Sequence, residues 1–221
     1  MSEREQNVAV VGLGYWGPNR LRALDEIDGM NVWWMCDQDA DRVARAAKRH
    51  PNVRSTTEFE HLLADDSLDA IVLATPVFSH HRLATDALRA GKHVFVEKPL
   101  AGSSSEAVDL YETAAECDRV LMCGHTFLYS PPVRMIKEIV DRGELGDLHF
   151  ISSSRTNLGQ YRSDVSVIFD LGPHDFSMLI YWLGQSPERV SAIGRGVVSE
   201  GVQDVAFVGL TFPDGMLAHV E

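Results

Sequence analysis

A lysine at the end of an apolar run is the first candidate for chemistry in this sequence of 221 residues. In the stretch VFVEKPLAG, residues 94–96 are suited to a buried strand, and the charged residues Glu97 and Lys98 follow directly, before Pro99. Two charges at such a position are costly to desolvate, so a surface ion pair explains them poorly. A lysine there can donate to a reacting hydroxyl oxygen and stabilise developing negative charge. Pro99 fixes the local backbone through either a trans or a cis bond.

A second candidate is the pair Asp170 and His174, four residues apart in FDLGPHDFSML. Imidazole titrates near neutral pH and can accept a hydroxyl proton, while a nearby carboxylate can orient the ring or the hydroxyl. The spacing is common, and a histidine that caps a helix explains it when it stands alone. Gly172 and Pro173 predict a tight turn that enters a helix.

Three glycines form the pattern Gly12-x-Gly14-x-x-Gly17 in VAVVGLGYWGPNRL. The pattern follows an apolar strand and opens a helix, which is the setting that a pyrophosphate-binding loop requires. Gly12 permits the tight turn, Gly14 lets the backbone approach the phosphates, and Gly17 lets helix and strand pack closely. A glycine-rich turn without a ligand is the alternative.

Asp37 ends the next apolar run, WMCD, at the distance from the glycine loop where an acid binds the adenosine ribose of a dinucleotide. A carboxylate there repels a 2′-phosphate, so that NAD is favoured over NADP. Capping of the following helix by Asp37 or Asp39 is a further possibility, and both roles can hold together.

Predicted strands and helices alternate from Asn7 to about Gly124, and these elements must position the candidate residues. Apolar runs, typical of parallel strands covered on both faces, are VAVVG, NVWWMCD, DAIVLAT, HVFVEKP and VLMCG. Helical patterns separate them, which predicts an α/β fold with a doubly wound parallel sheet of the Rossmann type. We therefore predict a dinucleotide-binding domain over residues 1–126.

The pattern changes in residues 127–221, for which we predict an α+β domain with a mainly antiparallel sheet. SPPVRMIKEIVDRG and PHDFSMLIYWLG are helical, the latter with Phe176, Leu179, Ile180 and Leu183 on one face. DLHFISSSR, RVSAIGRGVV, VAFVGLTF and MLAHVE have the character of strands, and the last two are joined by the turn PDG.

Composition excludes several classes of partner. The 32 acidic and 20 basic residues give a net charge of −12, which repels nucleic acid. The N-terminus MSEREQN is unlike a signal peptide, and no apolar run approaches the ~20 residues of a membrane span. The cysteines show no zinc spacing, so we expect no metal. We expect a soluble cytoplasmic protein.

Four motifs together resemble the Gfo/Idh/MocA family of NAD(P)-dependent oxidoreductases. They are GLGYWG, ATPVFSHHRLATDALRAGKHVFVEKPLA, GHTFLYSPPV and FDLGPHDFSML. The second is the most specific, because it runs from Thr-Pro through a histidine to Glu-Lys-Pro. The resemblance covers the whole chain. Family members are usually considerably longer, so we expect the second domain to be truncated.

The resemblance implies roles for individual residues. Lys98, Asp170 and His174 match the family's catalytic positions, with Lys98 beside the nicotinamide. The residues expected to bind the cofactor are Gly12, Gly14, Tyr15, Trp16, Gly17, Asp37, Thr75, Pro76, His80, Glu97 and Lys98. The residues expected to bind substrate are Lys98, Tyr129, Arg155, Asn157, Tyr161, Asp170 and His174. Arg155 could bind a phosphate or carboxylate, or be solvated.

The implied activity is hydride transfer between NAD and a secondary alcohol of a sugar, cyclitol or sugar nucleotide. RSDVSVIFD replaces the glycine-rich stretch that many members carry before the aspartate, and it is similar to a subgroup associated with sugar-nucleotide metabolism. A homo-oligomer formed through the sheet of the second domain is also implied. The alternative is a non-catalytic or truncated NAD-binding protein that acts as a sensor or a partner subunit.

Overall fold

The computed structural model describes residues 5–156, 165–198 and 201–221. The chain divides into two compact units, Met1–Gly124 and His125–Glu221. In the described parts of the chain, no helix is both long and apolar enough to cross a membrane.

The first unit is built on a six-stranded parallel sheet. Its strands are β1 (Gln6–Val11), β2 (Met30–Cys36), β3 (Arg54–Thr56), β4 (Ala70–Leu73), β5 (His93–Val96) and β6 (Leu121–Cys123). Their order is β3-β2-β1-β4-β5-β6, and every neighbouring pair is parallel. The predicted doubly wound fold is therefore confirmed. The strand order reverses between β1 and β4, and ligands bind at the carboxyl ends of the strands at such a point.

Helices cover both faces of this sheet. They are α1 (Gly17–Asp25), α2 (Ala40–Arg49), α3 (Glu60–Leu63), α4 (His80–Arg89) and α5 (Ser104–Glu116). Along β1, Ala9 and Val11 belong to one hydrophobic core, and Val8 and Val10 belong to the other. Because successive side chains point to opposite faces, a strand buried on both sides must be apolar throughout.

The short elements β3 and α3 are absent from the sequence-based prediction. The strand β3 consists of the polar residues Arg-Ser-Thr and pairs with β2. An edge strand of this kind needs no apolar run, so the pattern that reveals the central strands does not reveal it.

In the described residues of the second unit, a four-stranded sheet is combined with three α-helices. The helices are α6 (Pro131–Asp141), α7 (Val167–Asp170) and α8 (Gly172–Leu183), and the strands are β7 (Phe150–Ser153), β8 (Arg189–Arg195), β9 (Val205–Thr211) and β10 (Leu217–Val220). The order is β7-β10-β9-β8. The pairs β8–β9 and β9–β10 are antiparallel, and β10–β7 is parallel. The predicted mainly antiparallel sheet is confirmed.

One face of this sheet packs against α8. Leu179 of the helix is 1% exposed and shares a core with Val208, Leu210 and Ala218 of the sheet. Ile180, which the sequence places on the same face of the helix, is instead 42% exposed. Trp182 packs against the core together with Phe176 and Leu183, so the apolar face is rotated from the predicted one.

The opposite face of the second sheet carries exposed apolar side chains. Leu217 pairs with Phe150, and Ile193 pairs with Phe207. The strand registers and the alternation along each strand put these four residues on the same side. We call this surface, formed by Phe150, Ile193, Phe207 and Leu217, the open face.

Candidate active site

The glycine loop follows β1, and its backbone leaves no room for other residues at two positions. Gly12 has a φ of +91°, and a Cβ there would lie 2.6 Å from the carbonyl oxygen of Ala74. A Cβ on Gly17 would lie 2.0 Å from the carbonyl oxygen of Gly12. These clashes are with backbone atoms, so the two glycines are required for the tight turn and for the packing of α1 on the loop.

Gly14 is different, because the protein itself does not demand a glycine there. A Cβ on Gly14 would lie 3.7 Å from Arg42 Nη1, an ordinary contact distance. A glycine at this position is explained by the close approach of a ligand to the backbone. Helix α1 begins three residues later with Pro18 in its first turn, and N–H groups at a helix start bind phosphate. The loop therefore fits a dinucleotide pyrophosphate.

Asp37 lies just beyond β2 and is 5% exposed. Its Oδ2 accepts a hydrogen bond of 2.7 Å from the N–H of Leu13 in the glycine loop, and its Oδ1 accepts one of 2.9 Å from the N–H of Asp39. Asp39, rather than Asp37, caps α2, with N–H donors from Asp41 and Arg42. Asp37 thus fixes the loop to the end of β2, and its carboxylate retains acceptor capacity for a hydroxyl.

Arg42 places a cation beside this acid, a contact that the sequence does not predict. Its Nη1 lies 3.6 Å from Asp37 Oδ2, and its Nε lies 3.3 Å from Asp39 Oδ2. Its side chain is 46% exposed. The charge that a 2′-phosphate would meet at Asp37 is therefore partly balanced.

Lys98 lies two residues past the end of β5, in a turn with a cis peptide bond to Pro99. The neighbouring Glu97 is buried, and its Oε1 accepts a hydrogen bond of 2.5 Å from Nε of Arg20 on α1. The Glu97 N–H donates to the carbonyl of Leu73 at the end of β4. Sequence reasoning does not identify Arg20 as a partner of Glu97. The only available signal is the position of Arg20 one helical turn after Gly17.

His80, at the start of α4, contacts the same turn. It is 1% exposed, and its ring nitrogens lie 2.9 Å from the carbonyl oxygen of Pro99 and 2.8 Å from that of Thr75. The side chain thereby joins the turn after β4 to the turn that carries Lys98. Contact of Thr75, Pro76 and His80 with a cofactor stays a prediction.

Three aromatic side chains predicted to bind ligands are exposed. Tyr15 and Trp16, in the glycine loop, are 73% and 48% exposed and contact each other edge to face. Tyr129, in the second unit, is 56% exposed, with the guanidinium of Arg134 over its ring. Asn157 and Tyr161, the other two predicted substrate residues of this region, lie outside the described residues.

His174 lies in the first turn of α8 and is 9% exposed. Its ring is 4.7 Å from the ring of Phe127, centroid to centroid, at an interplanar angle of 57°. Asp170 ends α7, and Leu171 alone separates it from the start of α8. A Cβ on Gly172 would lie 2.8 Å from Cε2 of Phe176, one turn later in α8, so the glycine leaves room for that ring.

A buried ion pair lies beside His174. Asp175 is 2% exposed, and its carboxylate accepts hydrogen bonds from Arg155 Nε (2.8 Å) and Nη2 (3.2 Å) and from Ser153 Oγ (2.7 Å). The guanidinium carbon of Arg155 lies 5.1 Å from the centre of the Phe127 ring. Arg155 is therefore engaged by Asp175, and sequence reasoning misses both Asp175 and Phe127.

Burial shifts the pKa of several further groups. It lowers the pKa of His125 and so favours the neutral imidazole. Burial raises the pKa of Cys36 to about 12 and that of Cys123 to about 11, so both thiols are protonated at neutral pH and are poor nucleophiles. The described residues contain no group of three or more His, Cys, Asp or Glu that could hold a metal ion.

Two family models match this chain. Residues 6–125 match the oxidoreductase family with an NAD-binding Rossmann fold, and residues 133–221 match the GFO/IDH/MocA C-terminal domain. The uncharacterised oxidoreductase YrbE of Bacillus subtilis is 28% identical over 96% of this chain and 65% of that protein. Inositol 2-dehydrogenase 2 of Saccharopolyspora erythraea is 30% identical over 97% of this chain and 66% of that protein.

A similar solved structure is that of GenD2 from gentamicin A biosynthesis, in complex with NAD. It has a TM-score of 0.93 and 28% identity, over 100% of this chain and 66% of that one. The chain thus spans about two thirds of the length of these relatives. Both domain matches, together with the glycine loop and the strand order, show that the chain belongs to the Gfo/Idh/MocA oxidoreductase family.

Proposed function

We propose that this chain binds NAD and transfers a hydride between it and a secondary alcohol. The observation that carries the proposal is the glycine loop at the point where the strand order reverses, with buried Asp37 bonded to it. In this proposal residues 1–126 bind the dinucleotide, and residues 127–221 bind substrate and associate with other subunits. Gly12, Gly14 and Gly17 provide the pyrophosphate loop.

NAD is the proposed cofactor, in preference to NADP. Asp37 can accept hydrogen bonds from the ribose hydroxyls, and its charge disfavours a phosphate at that place. Arg42 reduces this discrimination, because its guanidinium lies 3.6 Å from the same carboxylate. We therefore expect tighter binding of NAD and measurable binding of NADP.

The proposed chemistry divides among three side chains. A bound nicotinamide accepts or donates the hydride. During oxidation, the imidazole of His174 accepts the proton of the substrate hydroxyl, and Asp170 orients the imidazole or that hydroxyl. The ammonium group of Lys98 donates a hydrogen bond to the oxygen on which negative charge develops. The products are a ketone, the reduced cofactor and a protonated histidine.

The proposed substrates are sugars, cyclitols and sugar nucleotides. Support comes from relatives named inositol dehydrogenases, among them myo-inositol 2-dehydrogenase of Thermotoga maritima, which is 26% identical over 97% of this chain. Polyols of this kind present several secondary alcohols to a proton acceptor. We further propose a cytoplasmic homo-oligomer that associates through the open face.

Cofactor titration combined with a substrate panel tests this function. Calorimetry with NAD and NADP reports binding, and near-ultraviolet absorbance reports reduction of the cofactor with myo-inositol, simple sugars and UDP-sugars. Gly12→Val should abolish cofactor binding, since its side chain would clash with the backbone of Ala74. NAD binding without reduction by any member of the panel would favour the non-catalytic alternative. Absence of NAD binding would refute the proposal.

A further inference from the structure

We infer that Arg155, Asp175 and Phe127 are positioning residues that hold the imidazole of His174 in one orientation. The inference rests on the proposed function only for the use of that imidazole as a proton acceptor. It gives Arg155 a role different from binding a substrate anion. The three residues come from separate places in the second unit: the end of β7, the first turn of α8 and the turn Thr126–Tyr129.

The ion pair between Arg155 and Asp175 holds the backbone at His174 in place. Asp175 follows His174 directly and is 2% exposed, so its carboxylate must be compensated inside the protein. The two N–H donors of Arg155 and the hydroxyl of Ser153 supply that compensation. A two-point pair of this kind sets the plane of the guanidinium as well as its distance. The first turn of α8 is thereby tied to the end of β7.

Phe127 contacts both the ion pair and the imidazole. The guanidinium carbon of Arg155 lies 5.1 Å from the ring centre of Phe127, within the range of a cation–π contact. The same ring lies 4.7 Å from the ring of His174, in a tilted arrangement that is favourable for aromatic pairs. His174 is therefore held through its backbone by Asp175 and through its ring by Phe127, and both of these residues contact Arg155.

A substrate anion would have to compete for the same guanidinium. Arg155 directs Nε and Nη2 to Asp175, and its side chain is 24% exposed. Withdrawal of the guanidinium would leave the carboxylate of Asp175 buried and uncompensated, which is strongly unfavourable. A fixed position for Arg155 agrees better with this arrangement than a side chain that moves to meet a ligand.

Phe127→Leu is the sharpest variant, because it keeps apolar bulk and leaves no buried charge unpaired. The chain offers a matched control in Phe207, which stacks on His219 at a centroid distance of 6.0 Å. The ring-proton resonances of His174 are followed by NMR in histidine-labelled full chain and assigned by their loss in His174→Gln. Loss of the Phe127 ring current shifts these resonances whatever the orientation of the imidazole, so the orientation is read from the NOEs between the assigned His174 ring protons and neighbouring protons. We expect Phe127→Leu to change that NOE pattern, Phe127→Tyr to retain it, and Phe207→Leu to leave it unchanged.

A second measurement is steady-state turnover with a substrate from the proposed panel of sugars and cyclitols that the unmodified chain oxidises. Misplacement of a catalytic group by about 1 Å can cost on the order of 10²-fold. We expect Phe127→Leu and Arg155→Lys to lower kcat by roughly 10- to 100-fold, with KM and the Kd for NAD unchanged. A large rise in KM with kcat maintained would instead identify Arg155 as a substrate-binding residue.

The two measurements separate this inference from the proposed function. A His174 NOE pattern that is the same in Phe127→Leu as in the unmodified chain would overturn the inference, whatever the activity. A His174 NOE pattern that changes in both Phe127→Leu and Phe207→Leu would also overturn it, because the change would then be global. An unmodified chain that oxidises nothing would refute the proposed function, and the NMR comparison would still decide how His174 is held.

Discussion

At the scale of single residues, Lys98 lies in a turn whose backbone is fixed by contacts of the adjoining residues. Its neighbour Glu97 is held by Arg20, and the carbonyl of Pro99 is held by His80. The backbone on both sides of Lys98 is therefore fixed by other side chains. A change confined to the ammonium group should leave the turn in place.

We predict that Lys98→Met lowers kcat by roughly 10²-fold or more, the scale of losing one positioned electrostatic group. The thermal midpoint and the Kd for NAD should change little, because methionine keeps the apolar stem. Steady-state kinetics, thermal unfolding and calorimetry provide the three measurements. Lys48→Met, on the exposed surface of α2, is the matched control. Unchanged kcat in Lys98→Met would show that this lysine has no part in the chemistry.

Cofactor choice is predicted to depend on opposing charges at Asp37 and Arg42. Arg42→Gln removes a cation 3.6 Å from Asp37, so the ratio of NADP Kd to NAD Kd should rise. Asp39→Asn removes a competing anion 3.3 Å from Arg42, so the same ratio should fall. Calorimetric titrations of both variants at low and high salt measure this ratio and so check the predicted rise and the predicted fall. The ratio should respond less at high salt, because Arg42 is partly exposed. Tighter binding of NADP than of NAD by the unmodified chain would contradict the assignment of Asp37.

At the scale of elements, Asp65 ties the edge of the first sheet together. Its Oδ2 accepts hydrogen bonds from the indole N–H groups of Trp33 (3.0 Å) and Trp34 (2.8 Å) on β2 and from Nη1 of Arg54 (3.3 Å) on β3. The hydrogen bond from Trp34 is the largest cause of a lowered pKa for Asp65, to which Trp33 and Arg54 add. The charged form is therefore bound more strongly in the folded protein.

A lowered pKa in the folded state contributes stability above the unfolded value of 3.8, and that stability is lost as the pH falls through the folded value. We predict that Asp65→Asn lowers the free energy of unfolding at pH 7 by about 1 to 3 kcal/mol. The difference between variant and unmodified chain should shrink below about pH 4. Thermal unfolding across this range checks it, with the exposed neighbour Asp66→Asn as control. A difference that is constant with pH would exclude the carboxylate charge as its cause.

The sequence predicts the elements of this fold that leave a local pattern, and it does not predict those that depend on long-range contacts. The strands β1, β4 and β5 are predictable because burial on both faces demands continuous apolar runs. The glycine loop is predictable because its backbone geometry permits no other residues at Gly12 and Gly17. The edge strand β3 is polar and carries no such signal.

Partners of the candidate site residues are harder to predict than the residues themselves. Glu97 and Arg20 are separated by 77 positions, and Asp175 and Arg155 by 20. Contacts of this kind depend on how whole elements pack against each other, and the periodicity within one element carries no information about that packing. Sequence reasoning could therefore name Arg155 as a functional residue but not the carboxylate that engages it.

At the scale of the whole molecule, the open face distinguishes the second sheet from the first. Ile193 is 77% exposed, Phe150 is 61%, Leu217 is 50% and Phe207 is 48%. Clustered apolar exposure of this kind marks interaction surfaces. Burying one such side chain contributes about 1.5 to 3 kcal/mol, so that covering the four together is a substantial driving force.

We predict that the chain associates with itself through the open face, and that Ile193→Lys weakens this association. Lysine introduces a charge at the most exposed of the four positions, and pairing two such faces would require its desolvation. Sedimentation and light scattering should show the unmodified chain as a dimer or larger species and the variant shifted toward the monomer. The Kd for NAD should be unchanged, because the glycine loop belongs to the first unit. Val108→Lys places the same charge on an exposed apolar residue of α5 and should leave the association intact. A monodisperse monomer for the unmodified chain would refute the open face as a subunit interface. An equal effect of Val108→Lys and Ile193→Lys would attribute the change to net charge rather than to this surface.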